Sequence, residues 1–123
     1  MTKDVLIKNP HRKNWIPIEA SLCNSFFSRF RGLMFTSAIA PYEGLVFANS
    51  HASIVDSSIH MLFMWFDITV VWLSNDYRVI EKTIAHKWHL LYIPKSPAAY
   101  ILELHPNRYH DFDVEEVLEL QYV

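Results

Sequence analysis

The stretch Ser57-Ser58-Ile59-His60-Met61-Leu62-Phe63-Met64-Trp65-Phe66-Asp67-Ile68-Thr69-Val70-Val71-Trp72-Leu73 constrains this chain more than any other. It is the densest apolar run in the sequence, with one histidine near its start and one carboxylate in its middle. It falls short of the roughly 18 to 20 apolar residues that cross a bilayer, and His60, Asp67 and Thr69 interrupt it. Such a run belongs in a protein core. Alternation places Ile59, Met61, Phe63 and Trp65 on one face and His60, Leu62, Met64 and Phe66 on the other, so both faces are apolar. A strand of that kind is covered on both sides. Ile68 to Leu73 is rich in β-branched residues and reads as a second buried strand. The expectation is a strand through Ile59 to Trp65, a bend near Phe66-Asp67, and a strand from Ile68 to Leu73.

The flanking sequence supplies the partners. Val5-Leu6-Ile7 and Trp15 to Glu19 read as a hairpin, with Pro17 unable to donate to a ladder. From Asn24 the period changes: Phe26, Phe27, Phe30, Leu33 and Met34 form one helical stripe, with Asn24 or Ser25 as N-cap and Gly32 near the end. Glu43 to Phe47 reads as a strand, and Asn49 to Ser58 as a long loop and candidate functional edge. The turn Ser74 to Tyr77 joins the second core strand to Arg78 through Ile84 as an antiparallel hairpin. Pro94 and Pro97 leave Ala85 to Ala98 mostly loop. Tyr100 to Leu104 is a strand, Pro106 to Phe112 a short helical turn started by proline, and Glu116 to Tyr122 a final strand.

These elements add up to an α+β, β-rich fold. We expect a single compact domain over residues 1–123, with a mostly antiparallel, barrel-like sheet and one or two short helices. A hydrophobic fraction of 51% is too high for disorder. A net charge of -2 provides no basic field for a phosphate backbone, so nucleic acid is not an expected partner. Cys23 is the single cysteine, which excludes an internal disulfide and any multi-cysteine zinc site. The first ten residues hold an apolar run of only three, Val5-Leu6-Ile7, much shorter than a secretory core. A cytoplasmic location and no membrane association are the expectation.

Several strings resemble, in order and approximate spacing, the domain of unknown function 192 family. They are Arg31-Gly32-Leu33-Met34, Glu43-Gly44-Leu45-Val46-Phe47, Ile59-His60-Met61-Leu62-Phe63-Met64, Val70-Val71-Trp72-Leu73 and Tyr100-Ile101-Leu102-Glu103-Leu104. The resemblance runs from about Ala20 to Leu120. It implies a compact, β-rich prokaryotic domain with few helices and supplies no established reaction. Two departures stand out. Where the family commonly has Phe-Pro-Ile-Asp, this chain has Phe66-Asp67-Ile68-Thr69, and Asp113-Val114-Glu115-Glu116 replaces the usual Gly-Asp near the C-terminus.

Candidate chemistry centres on a few side chains. His60 sits in the most apolar stretch, where burial can tune an imidazole for proton transfer or ligand contact; the alternative is a core histidine satisfied locally. Arg31 and Glu43 belong to the two glycine-bearing strings and can tie helix to strand or face an anionic ligand. Asp67 needs a partner or water, or lies in a turn. His86 and His89 are spaced for one helical turn, but a zinc site needs three or four ligands. Cys23 has no local signature of an activated nucleophile. Gly-rich phosphate loops, Gly-x-Ser-x-Gly and His-Glu-x-x-His are all absent.

The expectation is therefore a noncatalytic binding or accessory module. A groove near His60, with Arg31, Glu43 and His60 as ligand-binding residues, would hold an unidentified small ligand or a protein segment, without cofactor or metal. The alternative is a small hydrolase or lyase with His60 as general base, oriented by Asp67 or Glu103. A homo-oligomer stays open, because Tyr and Trp are enriched at interfaces.

Overall fold

Every residue of Ile68 to Leu73 is buried, as befits an interior strand of the sheet. The computed structural model describes residues 4–23, 33, 38–61, 64–89 and 91–123. Seven strands follow in chain order: β1 (Val5–Lys8), β2 (Ile18–Cys23), β3 (Glu43–Ser53), β4 (Ile68–Leu73), β5 (Val79–Ala85), β6 (Ala98–Leu104) and β7 (Glu119–Tyr122). One helical turn, α1 (Ile54–Ser57), follows β3, and a 3-10 helix spans Pro106–Asp111. The strands make one sheet in the order β5-β4-β6-β3-β2-β1-β7.

All neighbouring pairs are antiparallel except β2 with β3. The chain between those two is long enough for the crossover that a parallel pair requires. The sheet curls so that the start of β5 reaches the segment before β7. Val79 donates to Glu116, Glu115 donates to Val79, and Leu118 donates to Tyr77, which joins the start of β5 to the segment before β7. The expected β-rich, barrel-like sheet is present as a curled half-barrel.

Alternation along each strand sorts the core onto the two faces of this curl. Val71 and Leu73 point into its interior with Val5, Ile7, Ile18, Ala20, Val46, Leu102, Leu104 and Phe112. Ile68, Val70 and Trp72 point to the other face, with Leu45, Phe47, Ile101, Cys23 and Leu33. Ile59, Met61 and Met64 cover that second face. Ser57 pins the cover in place: its hydroxyl receives the Ala98 N–H at 2.8 Å, and its carbonyl accepts from Trp72 Nε1 at 2.7 Å.

The structure corrects several sequence-based boundaries. The first hairpin forms, but β2 begins at Ile18, after Pro17, and continues to Cys23. Asn49 to Ser58 is not a loop: β3 runs through to Ser53, with a register shift against β6 between Ala48 and Ser53, and α1 follows. The final strand starts at Glu119 rather than Glu116, since the residues before it make the seam with Tyr77 to Val79. The bend after Trp65, the β4–β5 hairpin and the helical turn at Pro106 fall where expected. The helix expected from Asn24 lies outside the described residues.

The largest correction concerns Ile59 to Trp65. Of its described residues, only Ile59 makes a bridge, to Tyr92, and none belongs to a strand of the sheet. Both edges of β4 are occupied, by β5 and β6, so the preceding segment has no sheet edge beside it. It pairs instead with the loop after β5. Ile59 and Tyr92 exchange backbone hydrogen bonds at 2.9 and 2.7 Å, Met61 donates to His89 at 3.1 Å, and Trp88 donates to Met61 at 3.0 Å.

Candidate functional site

That pairing brings the bend before β4 beside the turn His86 to His89. Here an open groove of about 410 Å³ is lined by Ala38, Ile39, Trp65, Phe66, Asp67, Lys87, His105 and Pro106. Its volume lies within the range of small-ligand sites. Its walls come from four separated segments, each anchored by a different interaction.

The Asp67 wall is built by hydrogen bonds across the two loops. One carboxylate oxygen, Oδ1, accepts the Lys87 backbone N–H at 2.9 Å, and Oδ2 lies 3.3 Å from His86 Nδ1. The Lys87 N–H, followed by the His86 ring, holds this carboxyl below its ordinary range, so the groove carries a fixed negative charge. His86 is thereby committed to Asp67, while the His89 ring packs on Tyr92 at 4.7 Å. Among the described residues, no group of three His, Cys, Asp or Glu side chains could hold a metal ion.

The aromatic wall is held from behind. Trp65 is 58% exposed, and Trp88 meets it edge-on with ring centroids 5.8 Å apart. Trp88 has φ 64°, a left-handed conformation that is uncommon for a bulky side chain. The 86–89 turn, closed by His89 donating to His86 and capped by Asp67, holds it there. The bend is therefore tied to the turn both by its carboxylate and by its indole.

The third wall belongs to the start of the 3-10 helix. His105 Nδ1 accepts the Asn107 N–H at 3.0 Å, which puts the ring proton on Nε2. Thr69 Oγ1 donates to the His105 carbonyl at 3.0 Å, fixing this corner to β4. Further along, buried Arg108 donates to the Ile16 and Pro41 carbonyls at 2.7 and 2.8 Å and pairs with Asp111, clamping the helix to the loops before β2 and β3. The fourth wall, Ala38-Ile39, is steadied where Glu43 Oε1 accepts the Ala40 N–H at 3.2 Å.

Of the residues singled out from the sequence, Arg31 lies outside the described set. Glu43 is half-buried at the start of β3, and His60 is half-buried between Ile59 and Met61. Neither lines the described groove. Asp67 does line it, with His86 and Lys87 rather than His60 as its hydrogen-bond partners. Glu103 sits on the covered face of β6, level with Leu45 and Val70, and accepts no hydrogen bond among the described residues. Burial pushes its carboxyl up to about 8. The Cys23 thiol is pushed up to about 11 by burial and then by Glu103, the opposite of an activated nucleophile. Nothing in this arrangement supports a catalytic pairing with His60.

Trp65, Lys87 and His105 carry the groove and were not read from the sequence as site residues. Their only common signal is spatial, because no local motif links positions 65, 87 and 105.

A curled sheet with an aromatic-lipped groove beside the start of β4 is thus the kind of protein the structure defines. The chain belongs to the DUF192 family, described as Uncharacterized ACR, whose model matches residues 7–121. It is 39% identical over 98 residues to a UPF0127 protein of Thermococcus kodakarensis, covering 80% of this chain and 60% of that one. With a UPF0127 protein of Pyrococcus furiosus it shares 36% identity over 88 residues, 72% of each chain. The chain thus spans about three fifths of the Thermococcus relative.

Among solved structures it is similar to a Sinorhizobium meliloti protein described provisionally as a transcription regulator. The TM-score is 0.79 at 18% identity, over 96% of this chain and 91% of that one. A protein of unknown function from Novosphingobium aromaticivorans gives a TM-score of 0.77 at 14% identity, over 97% of this chain and 84% of that one. Both likenesses establish the fold. No helix among the described residues is long and apolar enough to cross a membrane.

Proposed function

We propose that this chain is a noncatalytic binding module that holds a small ligand in the groove between the Trp65 bend and the 86–89 turn. The observation that carries this reading is Trp65, a large aromatic side chain left 58% exposed inside a concave site and buttressed there by Trp88. Leaving an indole in water forgoes the gain of burying it, and a ligand stacked on it recovers that gain. His60 and Glu43 act as supports. His60 lies in the segment that carries the lip, and Glu43 orders the loop that ends in the Ala38-Ile39 wall. Arg31, which lies outside the described residues, is proposed as a further ligand contact.

Two-dimensional NMR of the labelled protein against a library of small aromatic and aliphatic fragments tests this. Binding compounds should shift the indole resonances of Trp65 and Trp88 and the amides of Asp67 and Lys87, leaving buried Trp72 unmoved. Trp65→Ala should abolish those shifts while the rest of the spectrum is retained. Fragments that map elsewhere, or an unaltered response in Trp65→Ala, would overturn the reading.

A further inference from the structure

The groove carries both signs of charge on one rim, which bears on what it takes. Asp67 is held as an anion by its two hydrogen bonds. Its two oxygens offer about four acceptor sites, so about two remain for a ligand. Lys87 follows in the same wall, and its ammonium makes no ion pair among the described residues. The ring proton of His105 sits on Nε2, because Nδ1 already accepts from Asn107. Trp65 and Phe66 line the same groove.

Resting on the small-ligand reading above, we propose that the groove takes a free zwitterionic amino acid with an apolar or aromatic side chain. The ligand's ammonium binds Asp67 beside the face of Trp65, a position favoured by both charge and ring quadrupole. Its carboxylate binds Lys87 and the His105 Nε2–H. Its side chain lies against Trp65 and Phe66.

Charge excludes the simpler classes. A cation meets the Lys87 ammonium, and an anion meets the Asp67 carboxylate. A neutral ligand desolvates both charged groups without pairing either, which is costly. Only a ligand with separated charges of both signs satisfies the two walls together, and the groove volume is large enough for an amino acid with an apolar side chain.

Titration of the full chain at pH 7 with free phenylalanine and leucine, their amides, their N-acetyl derivatives and the matching neutral alcohols tests this, read by NMR shift mapping. The free amino acids should bind about tenfold or more tightly than any analogue lacking one charge, a gap of one well-placed ion pair. Lys87→Met should bring the free amino acid down to the level of its amide without weakening the amide. Asp67→Asn should bring it down to the level of the N-acetyl derivative. Since Asp67 also caps the 86–89 turn, Lys87→Met is the decisive variant, because the backbone N–H that Asp67 accepts is retained. If the neutral or singly charged compounds map to Trp65 as tightly as the free amino acids, the zwitterion assignment fails and the small-ligand reading stands. If no compound of either panel maps to the groove, both fail.

Discussion

Two carboxyl groups on either side of β4 show how differently one fold can treat the same chemistry. Glu103 lies on the adjoining strand, 6% exposed, among Leu45, Val70 and Ile101. No donor reaches it among the described residues, so removal from water dominates and the neutral acid is favoured. Asp67 lies one residue before β4 with its side chain 40% exposed. A backbone N–H and an imidazole reach it, so the carboxylate is favoured. Closed packing without donors makes an acid hold its proton. An open rim with aimed donors makes it release one. The first region is a closed interior and the second an open, polar rim.

The sharpest way to break this contrast is through pH. Glu103 has a folded-state value of about 8 against 4.5 for the free group. The folded state therefore keeps a proton that the unfolded chain has already lost, and stability falls as pH rises from 4.5 to about 8. The contribution is fully present below 4.5 and gone above 8. The span corresponds to an upper limit of roughly 4 to 5 kcal/mol. In Glu103→Gln that slope should disappear, leaving the variant more stable than the parent in urea unfolding at pH 9. A parent whose stability is flat between pH 5 and 8 would show that the acid is solvated after all.

Packing on the opposite, interior face of β3 and β6 offers a second probe. A Cβ at Gly44 would lie 2.5 Å from Leu104 Cδ2 and 3.0 Å from the Glu103 carbonyl oxygen. Gly44→Ala crowds Leu104 and Ile18 on the interior face, the side of β3 and β6 opposite Glu103, and should cost about 1 to 3 kcal/mol, an overpacking penalty. Thermal unfolding checks this. An unchanged midpoint would mean that the Leu104 side chain gives way freely and the face is looser than drawn.

The smallest effect belongs to the open region. Asp67 has a folded value below its ordinary 3.8, so its contribution is present above that value and is lost as pH falls through the lowered one. Exposure and solvent screening keep it under about 1 kcal/mol. Asp67→Asn should barely change stability at pH 7, yet should shift the amide resonances of Lys87 and Trp88. A large loss of stability would move Asp67 from the rim into the framework of the fold.

The apolar run from Ile59 to Leu73 shows how far the sequence could be read. Its second half was legible as a strand because β-branching and buried alternation are local properties. So were the hairpin turn at Ser74 to Tyr77 and the helix start at Pro106, where proline and small polar residues act through their own backbone. Its first half carried a strand pattern equally well and became a cover. Alternation identifies two apolar faces but not which partner is free to pair. The same holds for the site. Asp67 was legible as a charge needing a partner. That the partner would be the turn at His86-Lys87, and that Trp65 and His105 would stand beside it, was not.

From the sequence alone came the β-rich class, most of the strands, the family likeness and the absence of the familiar catalytic motifs. All of these rest on interactions within a few residues or on composition. Only the tertiary structure decided that β4 would have both edges filled, that Glu103 would be dry, and that positions 65, 67, 87 and 105 would share one groove. Those outcomes depend on how the sheet curls and on which loops are then brought together, and contacts between residues twenty or more positions apart leave no local trace in the chain.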